Sequence, residues 1–183
     1  DAGNYTLTPP SGLSANITPA TLTVTGLIAS NKVYDGTTAA TLGGTPTLGG
    51  VLLTDVVTVS GGTGTFADKN AGKAKPVTVA GVSLVGADAG NYTLTPPTGL
   101  TANITPAALT LTANDQPKTE GTLFNFTGTE FSATGLIAGE AVAIVTLSST
   151  GAPAAATPAV YPITIASPVG GAGFVPGNYT VIL

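Results

Sequence analysis

Apolar residues and threonines alternate with a period of two along most of this chain. In residues 92–95, for example, tyrosine and leucine alternate with threonine. This period puts apolar side chains on one face of a β-strand and threonines on the other. Clusters of glycine, asparagine, aspartate and proline separate these runs and are typical of turns. The pattern predicts an all-β protein. The same alternation occurs at 77–79, 124–127, 163–165 and 179–183.

Two segments leave the architecture open between two β folds. Residues 50–57 and 136–145 occupy similar places in the two halves of the chain, and each is long enough for one short helix. A helix there would make the fold β-grasp-like, whereas a turn or strand would make it an immunoglobulin-like sandwich. Segments this short do not distinguish the 3.6-residue period of a helix from the two-residue period of a strand. We expect the immunoglobulin-like sandwich and keep the β-grasp-like fold as the alternative.

An internal repeat sets the domain organisation. Residues 1–22 recur as residues 88–109, an offset of 87, and differ at three of the 22 positions. A third, shorter copy, Gly-Asn-Tyr-Thr, begins at Gly177. A domain-sized period is typical of tandem modules rather than of a solenoid, whose repeats have about 20–50 residues. The repeat therefore predicts small modules that each have a core of their own.

The proline of the repeated segment predicts where one module ends and the next begins. Pro106 lacks an N–H and restricts the residue before it, so a strand ladder should stop there. We predict a first module at 21–107 and a second module at 108–183, with 1–20 as the C-terminal tail of a preceding repeat. That tail raises a hypothesis: in another molecule it completes a sheet by strand addition.

The composition excludes several classes of function. The chain has no Cys, His, Trp, Met or Arg, and only 8% of its residues are charged, against about 25% in an ordinary soluble domain. A net charge of −4 without a basic cluster argues against nucleic acid. No apolar stretch reaches the roughly 18 residues that a membrane-spanning helix needs, which argues against membrane insertion. No two of the nine carboxylates lie within four positions of each other, and no histidine is available as a base. We therefore expect no catalytic residue, no cofactor and no enzyme.

Two weak candidate sites remain after this exclusion. Tyr34 and Asp35 could form an exposed contact for sugar or protein, although Asp35-Gly36 is more typical of a hairpin or bulge turn with Tyr34 packed inward. Asp88 and Asp115 flank the module junction and could bind calcium, as junctions of extracellular β modules often do. Two carboxylates are few for a cation that takes six to eight oxygens.

Three spaced motifs of the first module resemble the YDG repeat of large bacterial adhesins and filamentous-haemagglutinin-like exoproteins. They are Asn-Lys-Val-Tyr-Asp-Gly-Thr-Thr-Ala at 31–39, Phe-Ala-Asp-Lys-Asn-Ala-Gly at 66–72 and Gly-Ala-Asp-Ala-Gly-Asn-Tyr-Thr-Leu at 86–94. Residues 108–183 are similar to the companion MBG repeat, through segments 108–119, 135–140, 161–164 and 178–180. They depart from it at Glu120-Gly121, where that repeat more often has Tyr-Gly.

The resemblance implies a structural stalk or spacer of a secreted or cell-surface adhesin that supports attachment or biofilm formation. The expected partners are neighbouring repeats of the same protein, and host or matrix glycans or proteins. The alternative is a repeat that itself binds a glycan, a protein or a neighbouring copy. The family brings no catalytic residues to this chain.

Overall fold

A computed structural model describes residues 1–183 and is built almost entirely from β-strands. Three single 3-10 turns, at 2–4, 89–91 and 176–178, are the only helical elements. None of these is long or apolar enough to cross a bilayer as a helix. The all-β prediction is confirmed. The strands are β1 Ala20–Ala29, β2 Lys32–Val33, β3 Ala39–Ala40, β4 Leu42–Gly49, β5 Thr58–Phe66, β6 Gly72–Val85, β7 Tyr92–Thr95, β8 Thr101–Thr105, β9 Ala107–Ala113, β10 Phe131–Thr134, β11 Val142–Ser148, β12 Thr164–Gly170 and β13 Tyr179–Ile182.

Each sheet lies on one side of Pro106. The first module contains a three-stranded sheet of order β4-β1-β7 and a five-stranded sheet of order β2-β8-β6-β5-β3. The second module contains a three-stranded sheet of order β10-β9-β13 and the β11-β12 pair. β8 ends at Thr105 and β9 begins at Ala107. The ladder stops at the proline because Pro106 has no N–H to donate.

The two three-stranded sheets are built in the same way. In each, the central strand pairs antiparallel with one neighbour and parallel with the strand that follows the Gly-Asn turn of its module, β7 in the first and β13 in the second. Ala20 lies opposite Tyr92 in the first module, and Ala107 lies opposite Tyr179 in the second. The 87-residue sequence period is therefore also a structural period, and positions in one module have equivalents in the other.

Residues 50–57 and 136–145 form turns rather than helices, and the second segment continues into β11. Glycines at their starts account for this. Gly50 and Gly135 have φ near +100°, and Gly139 has φ +87°. Left-handed residues interrupt a right-handed helix. The short-helix alternative, and with it the β-grasp-like fold, is wrong for this chain.

Twelve buried side chains, drawn from both modules, form a single cluster. They include Phe66, Val77 and Ile104 from the first module and Leu111 and Phe174 from the second, whereas four other buried apolar side chains of the first module lie outside it. The prediction of separate cores is wrong for these twelve residues, because only one residue separates β8 from β9. The apolar faces of these two strands therefore continue into each other without a spacer.

The N-terminal segment shows that burial here depends on neighbouring strands. Tyr5 and Ile17 are exposed, whereas their repeat equivalents Tyr92 and Ile104 are buried. Ile104 lies between β2 and β6 in the five-stranded sheet, whereas residues 5–19 pair with no strand. The two nearly identical segments thus differ in burial, because only the second one pairs with the strands of a sheet. Strand addition to another molecule stays a prediction.

Glu130 organises the loop before β10 and makes the second module acid-sensitive. Its carboxylate accepts hydrogen bonds from the Thr127 hydroxyl at 2.6 Å and from the backbone N–H groups of Thr127, Gly128 and Thr129. These bonds lower the pKa of Glu130 to about 2, and the bond from the Thr127 hydroxyl has the largest effect.

We expect Glu130→Gln to flatten the acid limb of the stability curve. A depressed pKa in the folded state stabilises the fold above the ordinary value of 4.5, and this contribution is lost as pH falls towards about 2. Urea unfolding between pH 5 and 2 measures it, with Glu120→Gln as a control because Glu120 is exposed and makes no ion pair. An unchanged pH slope in Glu130→Gln would contradict the assignment.

Candidate functional site at the module interface

The Tyr-Asp-Gly triplet lies on a connection that crosses the end of the five-stranded sheet. β2 and β3 form the two opposite edges of that sheet, and residues 34–38 connect them. Gly36 permits the bend with φ +77°. The hairpin expected at Asp35-Gly36 is therefore wrong, since β2 and β3 do not pair. Tyr34 does pack inward, as the turn hypothesis expected.

Lys32 fixes this connection in place. Its Nζ donates to Asp35 Oδ1 at 2.7 Å and to the Thr37 carbonyl at 2.8 Å, and it lies 5.5 Å from the centre of the Phe66 ring. Asp35 is exposed but is engaged in this local network. Tyr34 is only 2% exposed, so the hypothesis of an exposed Tyr34 contact is wrong. Tyr34 is not available to an external ligand. Its hydroxyl reaches the second module, where it donates to Glu140.

Glu140 is the acceptor at the centre of the interface. Its side chain is 4% exposed. One oxygen accepts hydrogen bonds from the Tyr34 hydroxyl and from Lys69 Nζ at 3.4 Å, and the other accepts from the Tyr179 hydroxyl at 2.7 Å. Burial acts to raise the pKa of Glu140, but the bonds from Tyr34, Tyr179 and Lys69 together outweigh it and hold the pKa below 4.5. Glu140 therefore stays ionised at neutral pH and joins the two modules.

Asn178 makes a second set of polar contacts across the interface. This side chain is 1% exposed. Its Oδ1 accepts from the Ala71 N–H at 2.8 Å, and its Nδ2 donates to Asn70 Oδ1 at 3.1 Å. A buried amide without partners would be costly. Asn178 therefore favours one relative placement of the two modules, in which Asn70 and Ala71 meet it.

Aromatic rings fill the space between these polar contacts. The Tyr34 and Tyr179 rings meet edge to face, with centroids 5.6 Å apart, and Phe174 stacks on the other side of Tyr179 at 5.3 Å. Burial and the Glu140 carboxylate raise the pKa of Tyr179 to about 12, against the opposing bond from the Ile137 N–H. A Cβ added at Gly36 would lie 2.8 Å from Ile137 Cγ2. The interface therefore requires glycine at this position.

Residues 18–99 match the family model of the YDG domain. The matched part includes the Tyr34-Asp35-Gly36 triplet and the Lys69-Asn70-Ala71 segment, so the matched region supplies one side of the interface. No curated protein and no solved structure matches the chain. The MBG resemblance of residues 108–183 stays a prediction.

Sequence reasoning missed most of the residues that form this interface. Glu140, Asn178 and Lys69 were not predicted as site residues. The third Gly-Asn-Tyr copy marks Asn178 and Tyr179 as equivalents of Asn91 and Tyr92, and this is the signal that could have indicated them. Glu140 ends one of the segments that resemble the MBG repeat, at 135–140, but its residue type does not indicate an interface, because an isolated Glu after a glycine is usually solvated.

The two aspartates considered for calcium serve different local structures. Asp88, in the first module, accepts a hydrogen bond from the Val56 N–H at 2.8 Å. Asp115 is exposed and lies in the loop after β9. No group of three or more potential metal-binding side chains comes together in the structure. The prediction of no cofactor, with calcium at this junction as its weak alternative, stays a prediction.

A groove lies in the second module, apart from the interface between the modules. It has a volume of about 430 Å³. Phe124 and Phe126 meet edge to face at 5.0 Å on one wall, and Tyr161 contributes a third ring. Asp115, Gln116 and Lys118 add polar groups to the lining. Aromatic rings beside polar side chains are typical of surfaces that bind other molecules.

Proposed function

We propose that this chain is a structural spacer, one segment of the stalk of a surface-exposed or secreted bacterial adhesin, and that it supports attachment or biofilm formation. Its partners in this role are the neighbouring repeats of the same protein. The role is mechanical, without catalysis or a cofactor. The YDG match of residues 18–99 and the 87-residue sequence repeat are consistent with it.

The observation that carries the proposal is the buried interface between the modules. A spacer transmits position only if its modules keep a fixed orientation. Glu140 and Asn178 bind groups of the first module with buried, directional hydrogen bonds, and the hydrophobic cluster is continuous across Pro106. Directional polar contacts within an apolar interface limit sliding and rotation.

The test measures the distance between the modules in solution. Because the chain has no Cys, spin labels can be attached at Ser60→Cys and Ser148→Cys, which are exposed positions on the two modules. A stiff spacer gives one narrow distance distribution in a double electron–electron resonance experiment. A broad distribution in the unaltered background would contradict the spacer function.

Gly36→Ala is expected to broaden that distribution. The added methyl group meets Ile137 at 2.8 Å and strains a backbone of φ +77°. Gly81→Ala is the matched control, since its φ is +71° and nothing lies within 4 Å of the added Cβ. Both substitutions carry a backbone penalty of about 1 kcal/mol. Equal broadening in both variants would mean that the contact with Ile137 does not hold the interface.

The groove of the second module favours one other candidate function, the binding of a glycan. Three aromatic rings and several polar side chains line it. A glycan array probed with the full chain tests this candidate, with Tyr161→Ala to remove one ring. Val169→Ala is the control, because Val169 is exposed in β12 of the same module and does not line the groove. Binding that Tyr161→Ala removes and Val169→Ala retains would support glycan recognition, and absence of binding would leave the spacer role alone.

A further inference from the structure

The first module carries a free copy of the surface that the second module uses to bind Tyr34. In the second module the Ile137 N–H donates to the Tyr179 hydroxyl at 3.1 Å, and that hydroxyl donates to Glu140. In the first module the Leu52 N–H donates to the Tyr92 hydroxyl at 3.1 Å, and that hydroxyl donates to Asp55 at 2.6 Å. The two arrangements are the same, bond for bond.

The two copies differ in what covers them. Asn178 and Ala107 are buried by the interface, whereas their equivalents Asn91 and Ala20 are exposed. We call the free surface the Asp55 face and define it as Ala20, Leu52, Asp55, Asn91 and Tyr92. Its second carboxylate oxygen, Asp55 Oδ1, accepts no hydrogen bond within the chain, whereas Glu140 uses both oxygens.

Exposed leucines make this face apolar around its polar centre. Leu52 is 63% exposed and Leu53 is fully exposed. Ile137, the equivalent of Leu52, packs instead against the buried cluster, next to Gly36. An apolar surface around an oriented acceptor has the composition of an interface rather than of a free protein surface.

We infer that the Asp55 face is the docking site for a second copy of the first module, placed immediately before Asp1. The chain supplies the connection, since residues 1–20 repeat residues 88–107 and lead into Ala20 as β8 leads into Ala107. The docked copy presents its own Tyr34 to Asp55, its Ala71 N–H to Asn91, and its Gly36 to Leu52. A second-type module fits worse, because residues 108–183 contain no Tyr-Asp-Gly triplet that could present a hydroxyl to Asp55.

This inference rests on the proposed spacer function only in requiring a module before Asp1, and the test supplies that module. Joining residues 21–87 directly to Asp1 creates a complete additional module without foreign linker residues, because residues 1–20 then serve as its 88–107. The extended chain therefore reports docking whether or not the natural protein is an adhesin.

Amide hydrogen exchange reads out the docking at one atom. In the extended chain, we expect the Ala71 N–H of the added copy to exchange at least about tenfold more slowly than in a variant with Asn91→Ala. Asn178→Ala is the matched control, because it should release only the Ala71 N–H of the resident copy. Equal exchange at the added Ala71 with and without Asn91, in an added copy whose β5 and β6 amides are protected, would overturn the inference.

Leu52→Arg gives a second and independent measurement. In the 183-residue chain Leu52 is exposed, so the substitution should leave the unfolding midpoint unchanged. In the extended chain it should free the added module, seen as a shorter rotational correlation time from ¹⁵N relaxation. Two results would contradict docking. The first is an added module that tumbles independently in the extended chain without the substitution. The second is a rotational correlation time of the added module that Leu52→Arg leaves unchanged.

Discussion

Glu140→Ala should lower the free energy of unfolding by about 3 kcal/mol and loosen the junction between the modules. The substitution leaves the Tyr34 hydroxyl without its acceptor and removes the acceptor of the Tyr179 hydroxyl, both in a buried interface. A buried hydroxyl without a partner costs about 1–3 kcal/mol. The bond from Lys69 adds little, because the Lys69 side chain is 42% exposed. Urea unfolding followed by far-ultraviolet circular dichroism measures the loss.

Asp55→Ala is the matched control for this prediction. It removes the equivalent carboxylate of the first module, where Tyr92 is the only donor and no second module is engaged. We expect a loss of about 1 kcal/mol, the typical net value of one hydrogen bond. Equal losses in the two variants would show that Glu140 contributes within its own module only, and the interface would then need another explanation.

The pH dependence of the Glu140 contribution has a definite sign. Its pKa is held below 4.5 in the folded chain, so its stabilising effect is complete above that value and is lost as pH falls through the lowered pKa. Tyr179 acts at the other limit, because a pKa raised to about 12 stabilises the fold below pH 10 and is lost as pH rises towards 12. We therefore expect the contribution of the interface to the free energy of unfolding to stay constant through the neutral pH range.

The strands could be predicted from the sequence because their signal is local. Alternation of threonine with apolar residues in β7 and β13 depends only on the period of the extended backbone. The break between β8 and β9 at Pro106 follows from the missing N–H of one residue. Both features are properties of short segments, and neither requires knowledge of what lies across a sheet.

The interface could not be predicted because its partners are distant in sequence. Tyr34 and Glu140 are separated by 106 residues, and Asn70 and Asn178 by 108. Burial reverses the ordinary expectation for both Glu140 and Asn178, which sequence statistics place on the surface. Tyr5 and Tyr92 make the same point, since almost identical surroundings in sequence give one exposed and one buried ring.

The continuous core leads to the second large effect, expected for Leu109→Ala. Leu109 is fully buried in the cluster that both modules share, and replacing a buried leucine by alanine costs about 3 kcal/mol. Because the cluster crosses Pro106, we expect faster amide exchange in the first module as well, at Phe66 and Val77, and not only in β9.

Leu22→Ala distinguishes a shared core from two separate ones. Leu22 is the repeat equivalent of Leu109 and is equally buried, but it lies outside the shared cluster. Its loss should lower the free energy of unfolding by a similar amount and accelerate amide exchange within the first module, while residues 142–148 keep their protection.

Forced unfolding also distinguishes a shared core from two separate ones. When the chain is pulled from its ends, two modules that share buried side chains should unfold together in one force event. Two well-separated events, each with the extension of one module, would argue for independent cores and against the junction described for Glu140.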